Sequence, residues 1–271
     1  MRPLSLLLAG AVVAASCGGA ATPPRDPLAG EYVAAVAESA VPIAQRLTAA
    51  FAAQHPGMTW TVKDVGSSAL LALLAGGEAD AGFLSRDVTI EDQREVQALG
   101  IGHTGQVLIV HPANPLTGLS TVQLRGIFSG AIRDWSEVGG LPGPILVLLR
   151  NEGSQTRTTL DRLLRAPGAA YRTDVVLISD AIAMVNVVSA SPRAIGMVSA
   201  LHLRGLSNAP RPIAVDGVAP TKANVANGSY PYRRPITLVL RVNNSLVRPG
   251  AKAFRDWVHG EEGQRLLREI F

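Results

Sequence analysis

The sequence predicts an α/β fold with mainly parallel strands, on three observations. Short apolar runs bounded by turn residues alternate with amphipathic helical stretches, the runs empty into serine-bearing turns, and this unit recurs along the 271 residues. Its clearest instance is Gly143 to Arg157. Ile145 to Leu149 has the length and bounding residues of a buried strand, Gly153 supplies a tight turn, and Ser154 is a good N-cap. Leu160, Leu163 and Leu164 then fall on one helical face. The first N–H groups of such a helix have no internal partner. With the helix dipole they favour an anion, and the Ser154 and Thr156 hydroxyls stand beside them. Arg150, at the strand end, adds a charge-assisted donor. Taken alone, the segment reads equally well as an ordinary capped helix after a strand.

Recurrence changes that balance. Tyr32 to Val36 reads as a strand, followed by Glu38, Ser39 and Pro42 and by a helix that aligns Ile43, Leu47 and Phe51. Trp60 to Val65 reads as a second strand, which runs into Gly66-Ser67-Ser68 and an apolar helix stopped by Gly76-Gly77. Ala79 to Leu84 is a third, emptying into Ser85-Arg86. Four strand ends thus carry serine and two carry arginine. Open α/β sheets bind ligands outside the carboxyl ends of their strands, so these turns can converge on one anion. Any one serine alone reads better as a plain N-cap.

The remaining elements follow in order. Gln106 to His111 is a strand broken by His111-Pro-Ala-Asn-Pro115. Ser120 caps a helix through Phe128 that Gly130 ends, with Trp135 packing back on it. Ser179 or Asp180 caps a helix through Val188, and Ala194 to Ser199 is a short strand. Asp216 to Tyr232 reads as an extended loop, Pro235 to Val242 as a strand, and Pro249 opens one final amphipathic helix carrying Phe254, Trp257, Leu266 and Leu267.

Composition narrows the setting. With 47% hydrophobic residues and 27 glycines the chain is globular and long enough for one large or two small cores. The formal charge is +4 with a pI near 9.6, but acidic residues are interspersed and no Lys/Arg run or basic stripe with aromatics occurs. That excludes a nucleic-acid footprint. At the N-terminus Arg2 precedes an apolar run from Leu4 to Ala15 that is too short to span a membrane and ends in Ala14-Ala15-Ser16-Cys17. Cys17 is the single cysteine, so neither an internal disulfide nor a cysteine metal site is available. The segment resembles the lipobox of bacterial lipoproteins, with Ala where Leu is more usual. Residues 1–16 are expected to be a signal peptide and 17–30 a lipid anchor and flexible tether, which places the protein outside the cytoplasm on a membrane surface.

Five segments together resemble the phosphate-binding proteins of bacterial ABC importers, within the periplasmic solute-binding superfamily. They are Asp80 to Arg86, Ile127 to Gly130 with Trp135, Arg150 to Arg157, Ala194 to Val198, and Val215 to Thr221. The resemblance implies a two-lobe, type II periplasmic-binding-protein fold, each lobe a mixed, mainly parallel sheet flanked by helices, with the ligand in the cleft between them. Mapped on this chain, residues 31–109 plus 200–271 form lobe 1 and 110–199 lobe 2. By the same resemblance, Arg150, Ser154, the N–H of Gln155 and Thr156 hold phosphate from lobe 2. Ser39, Ser67 and Ser68 hold it from lobe 1, with Ser85 and Arg86 nearby. The implied partners are inorganic phosphate and the permease and ATPase of an importer. A monomer without cofactor or metal is expected.

Two departures matter. Relatives carry small or hydroxyl residues in the first loop, where this chain has Glu38. A carboxylate there repels an anion unless it accepts a proton the ligand carries, which hydrogen phosphate has near neutral pH and sulfate lacks. Some relatives use an aspartate after the serine of the Ser85 turn for this purpose. Arg86 stands there now, so Glu38 is the candidate proton acceptor, and the alternative is a Glu38 turned to solvent at a helix start. Gln155 replaces a common glycine and brings a side chain beside the ligand.

Other functions are weaker. The five histidines lack metal-ligand spacing such as H-E-x-x-H, and no G-x-S-x-G elbow is present. A serine hydrolase built on Ser67 or Ser154 with a distant histidine is a remote alternative. Nearer ones are the same fold binding another oxyanion, or serving phosphate sensing or scavenging without transport.

Overall fold

The computed structural model describes residues 26–164 and 170–271. The signal peptide, Cys17 and most of the tether therefore lie outside the described residues. Asp26 to Gly30, the end of the stretch read as tether, are docked. The Asp26 carboxylate accepts the Leu28 N–H at 2.8 Å and lies 2.9 Å from His55 Nδ1, and Gly30 already pairs with Met58.

One continuous sheet organises the fold, its strands lying in the order Met58–Asp64, Gly30–Val36, Ala81–Leu84, Arg233–Arg241, Val96–Val110, Ala194–Ser199, Leu146–Arg150 and Val176–Ile178. The first part is a parallel βαβ series. Strand β1 (Gly30–Val36) leads through a 3-10 turn, Glu38–Ala40, to helix α1 (Val41–Ala52). Then come β2 (Met58–Asp64), α2 (Ser67–Gly76) and β3 (Ala81–Leu84). β1 lies between β2 and β3 and is parallel to both. The pleat sends alternate side chains to opposite faces. Ala34 and Val36 join a core with Leu47, Phe83 and Phe254, while Ala35 and Leu84 join another with Leu70 and Leu74.

After α3 (Asp92–Glu95) the chain enters β4 (Val96–Val110), a 15-residue strand of which the sequence pattern predicts only the last third, from Gln106. Its first half, paired antiparallel to β11 (Arg233–Arg241), is rich in glycine and poor in alternating apolar residues. Gly102 has φ +149°, the register slips there by one residue, and a Cβ would lie 2.3 Å from the Phe271 ring. Glycine is required by both the bulge and the close approach. From Gln106 onward β4 changes partner and pairs with β8 (Ala194–Ser199). It is thus shared by both halves of the sheet.

The second half repeats the first in kind. β5 (Gly118–Leu119) precedes α4 (Thr121–Ser129), whose Ser120 capping box is complete: Ser120 Oγ accepts the Gln123 N–H, and Gln123 Oε1 accepts the Ser120 N–H. Trp135 packs into the same core as Leu124 and Phe128 and donates Nε1–H to the Arg193 carbonyl at 3.0 Å. β6 (Leu146–Arg150), α5 (Gln155–Leu164), β7 (Val176–Ile178) and α6 (Ala181–Ala190) follow, with β6 parallel to β7 and β8.

Two readings past β8 need correction. The loop expected over Asp216 to Tyr232 contains a helix, α7 (Lys222–Asn227), capped by Thr221. The single last helix is two, α8 (Pro249–His259) and α9 (Glu261–Ile270), because Gly260 leaves helical geometry at ψ 174°. β9 (Arg211–Pro212) pairs with β4, and β10 (Ala214–Val215) with β5. Ile213 and Val215 sit in the core around Phe128, and Val225 and Tyr230 in the one around Met184. Residues 211–232 therefore pack with the 110–199 half, although they fall within the 200–271 stretch assigned to the other lobe.

Candidate functional site

The carboxyl ends of five strands, in two parallel sets of three and two, open onto one cleft of about 660 Å³. β1 delivers Glu38 and Ser39, β2 delivers Asp64 and the Gly66-Ser67-Ser68 turn, and β3 delivers Arg86. From the other side β6 delivers Arg150 and Gly153 to Gln155, and β7 delivers Ser179 and Asp180. The turn after β6 depends on Gly153 at φ +84°, a conformation costly for a residue with a Cβ. α2, α5 and α6, each ten residues long, all begin at the cleft, so three helix N-termini face it.

Seven of the nine expected anion contacts line the cleft: Ser39, Ser67, Ser68, Arg86, Arg150, Ser154 and Gln155. Two do not. Thr156 Oγ1 donates to Gln106 Oε1 at 3.0 Å, which commits the hydroxyl to the interior. Ser85 is fully buried, its hydroxyl has no partner, and its carbonyl accepts from Arg234 Nη1 at 3.1 Å. Ser67 Oγ is likewise buried without a partner, but on the cleft wall. Ser154 acts as the N-cap, its Oγ accepting the Arg157 N–H at 3.4 Å.

Arg150 is almost completely buried and spreads its donors widely. Nε donates to the Ile178 carbonyl at 3.2 Å, Nη2 to the Ser179 carbonyl at 2.8 Å, and Nη1 to the Glu38 carboxylate at 2.7 Å. Glu38 is therefore not turned to solvent. Its other oxygen accepts the Ala181 N–H at 2.8 Å. Arg86, on the cleft wall, is engaged by a two-pronged pair with Asp92, with Nη2 to Oδ1 at 3.0 Å. That bond raises the Arg86 guanidinium above its ordinary value and pulls the Asp92 carboxyl down to about 2.

Three further polar side chains line the cleft: Asp64, Ser179 and Asp180. Asp180 caps α6, and the Ala183 N–H followed by the Ser179 hydroxyl hold its carboxyl low. Partial burial, then the like charge of Glu38, push the Asp64 carboxyl up. The Ser179-Asp180 cap was legible in the sequence, but three-residue β7 gives too weak a strand signal to mark it as a fifth strand end. A further residue escaped notice behind the wall. Buried Arg234 donates to Thr159 Oγ1 at 2.9 Å, to the Ser85 carbonyl and, at 3.0 Å, to Gln155 Oε1. Burial lowers its guanidinium to about 10. It draws the Gln155 amide back, while the Gln155 N–H remains at the start of α5. No histidine is among the residues lining the cleft, and among the described residues no group of three His, Cys, Asp or Glu could hold a metal ion.

The PBP superfamily domain model matches residues 21–262. The phosphate-binding protein PstS of Bacillus subtilis is 24% identical over 279 residues, covering 97% of this chain and 89% of that protein. A Clostridium perfringens protein crystallised with bound phosphate, and ascribed to phosphate ABC transport, superposes with a TM-score of 0.76 at 27% identity, covering 89% of this chain and 98% of that one. An ABC-type phosphate transport receptor of Vibrio cholerae gives 0.65 at 25% identity with the same coverage.

Proposed function

Since the chain belongs to the PBP superfamily, we propose that it is a lipid-anchored extracytoplasmic binding protein that captures inorganic phosphate and delivers it to the permease and ATPase of an ABC importer. The observation that carries this reading is the meeting of five strand ends and three helix N-termini at one cleft with Arg150. Backbone N–H groups and hydroxyls replace the anion's water shell, so its charge meets dipoles more than full cations. The unpartnered Ser67 hydroxyl gains a partner from a bound oxyanion, and leaving it unpaired carries a cost of about 1–3 kcal/mol. The similarity to phosphate-binding and phosphate-transport proteins points to the same ligand.

In this reading lobe 1 comprises 31–109 with 200–210 and 233–271. Lobe 2 comprises 110–199 with 211–232, following the core packing of Ile213, Val215, Val225 and Tyr230. The anchor is Cys17, after the apolar N-terminal run. Among the described residues no helix is long and apolar enough to cross a membrane.

Carboxylates on the wall favour an anion that still carries a proton. Calorimetric titration of the ligand-stripped chain near neutral pH is therefore expected to give saturable heat with phosphate and none with sulfate. Absence of phosphate heat would refute the assignment.

A further inference from the structure

Glu38 stands at the end of β1, yet both of its carboxylate oxygens are engaged by the opposite wall. Arg150 Nη1 lies 2.7 Å away and the Ala181 N–H donates at 2.8 Å, contacts that join residues 112 and 143 positions apart. With Nε and Nη2 on the Ile178 and Ser179 carbonyls and Nη1 on Glu38, every nitrogen of Arg150 is already engaged. A cationic arm and a helix N-terminal N–H are the donors an oxyanion takes in such a cleft. Here the chain's own carboxylate takes them. Asp180 does not compete for this place, since it is spent on the Ala183 N–H and the Ser179 hydroxyl.

We propose that Glu38 is an internal anion. It holds Arg150 and the start of α6 from across the cleft, and an external oxyanion binds by displacing it. The proposal rests on the phosphate reading of the same cleft and goes beyond it by stating what phosphate must exchange with. A tethered competitor acts at high effective concentration, so it weakens the affinity of the cradle without touching the ligand. The sign is opposite to that of a proton-acceptor role. An acceptor's removal weakens phosphate binding and admits sulfate, whereas a competitor's removal tightens phosphate binding.

Phosphate titration of the full chain and of Glu38→Gln, both ligand-stripped, tests this. Glu38→Gln is expected to bind phosphate at least tenfold more tightly, about 1.4 kcal/mol. Glu38→Asp keeps the charge but is one methylene too short to hold both donors. It is also expected to bind more tightly, which separates displacement from simple relief of repulsion and serves if Glu38→Gln does not fold. Unchanged or weaker binding by both folded variants would overturn the internal anion and leave the phosphate assignment standing. No phosphate heat from the unaltered chain or either variant would overturn both.

Discussion

Arg150→Met is expected to weaken phosphate binding at least a hundredfold. A hydrogen bond from a charged donor contributes about 1.5–3 kcal/mol, and Arg150 is the cleft's one guanidinium not drawn off by a neighbouring aspartate. Its removal also leaves Glu38 facing the ligand without a counter-charge, so repulsion adds to the lost contact. Lysine should not substitute, because one ammonium cannot reach the Ile178 and Ser179 carbonyls and the cleft together as a planar fork does. Titration calorimetry reads the loss directly. Binding by folded Arg150→Met within tenfold of the unaltered chain would remove Arg150 from the site. Residues in direct contact couple, so Arg150→Met with Glu38→Gln should recover part of the affinity lost by Arg150→Met alone.

The second large effect concerns stability and pH. Asp92 is buried against Arg86, accepts the Thr89 N–H at 2.8 Å, and has its carboxyl held at about 2 from an ordinary 3.8. The folded value lies below the unfolded one, so the stabilisation is complete above about pH 4 and is lost as pH falls through 2. The shift corresponds to about 2 kcal/mol, reduced to about 1–2 kcal/mol because Arg86 is a quarter exposed and solvent screens the pair. Urea unfolding of the natural chain and of Asp92→Asn is expected to show that stability gap at pH 5 and to find it narrowed by about 1–2 kcal/mol at pH 2. Parallel pH profiles for the two proteins would show that Asp92 titrates normally in the fold.

Much of this architecture can be read from the chain, for local reasons. Ser120 with Gln123, Gly77 after the Leu70 helix, and Pro42 near the start of α1 are signals confined to one helix end, and each element forms where its signal stands. The strand ends bearing Ser39, Ser67, Arg86, Arg150 and Ser154 reach one cleft because each parallel set, β1 to β3 and β6 with β7, puts its turns at its carboxyl ends, and the two sets run in opposite directions, so those ends meet. What escaped depends on contacts distant in sequence. The first half of β4 is a strand because β11 pairs with it, not because its glycine-rich residues prefer one. Thr156 carries the expected hydroxyl one position from the expected N–H, yet Gln106, fifty residues away, captures it. Glu38 is conspicuous in sequence as a misplaced charge. Its use becomes legible only when β6 and α6 bring Arg150 and the Ala181 N–H to it.

A crystal structure of the ligand-stripped full chain grown with phosphate shows directly whether the anion exchanges with Glu38. One phosphate is expected in the cleft, within hydrogen-bond distance of Arg150 Nη1, the Ser67 hydroxyl and the Gln155 N–H, with Glu38 displaced from Arg150. Phosphate bound elsewhere, or a cleft without it while Glu38 keeps both contacts, would contradict this expectation.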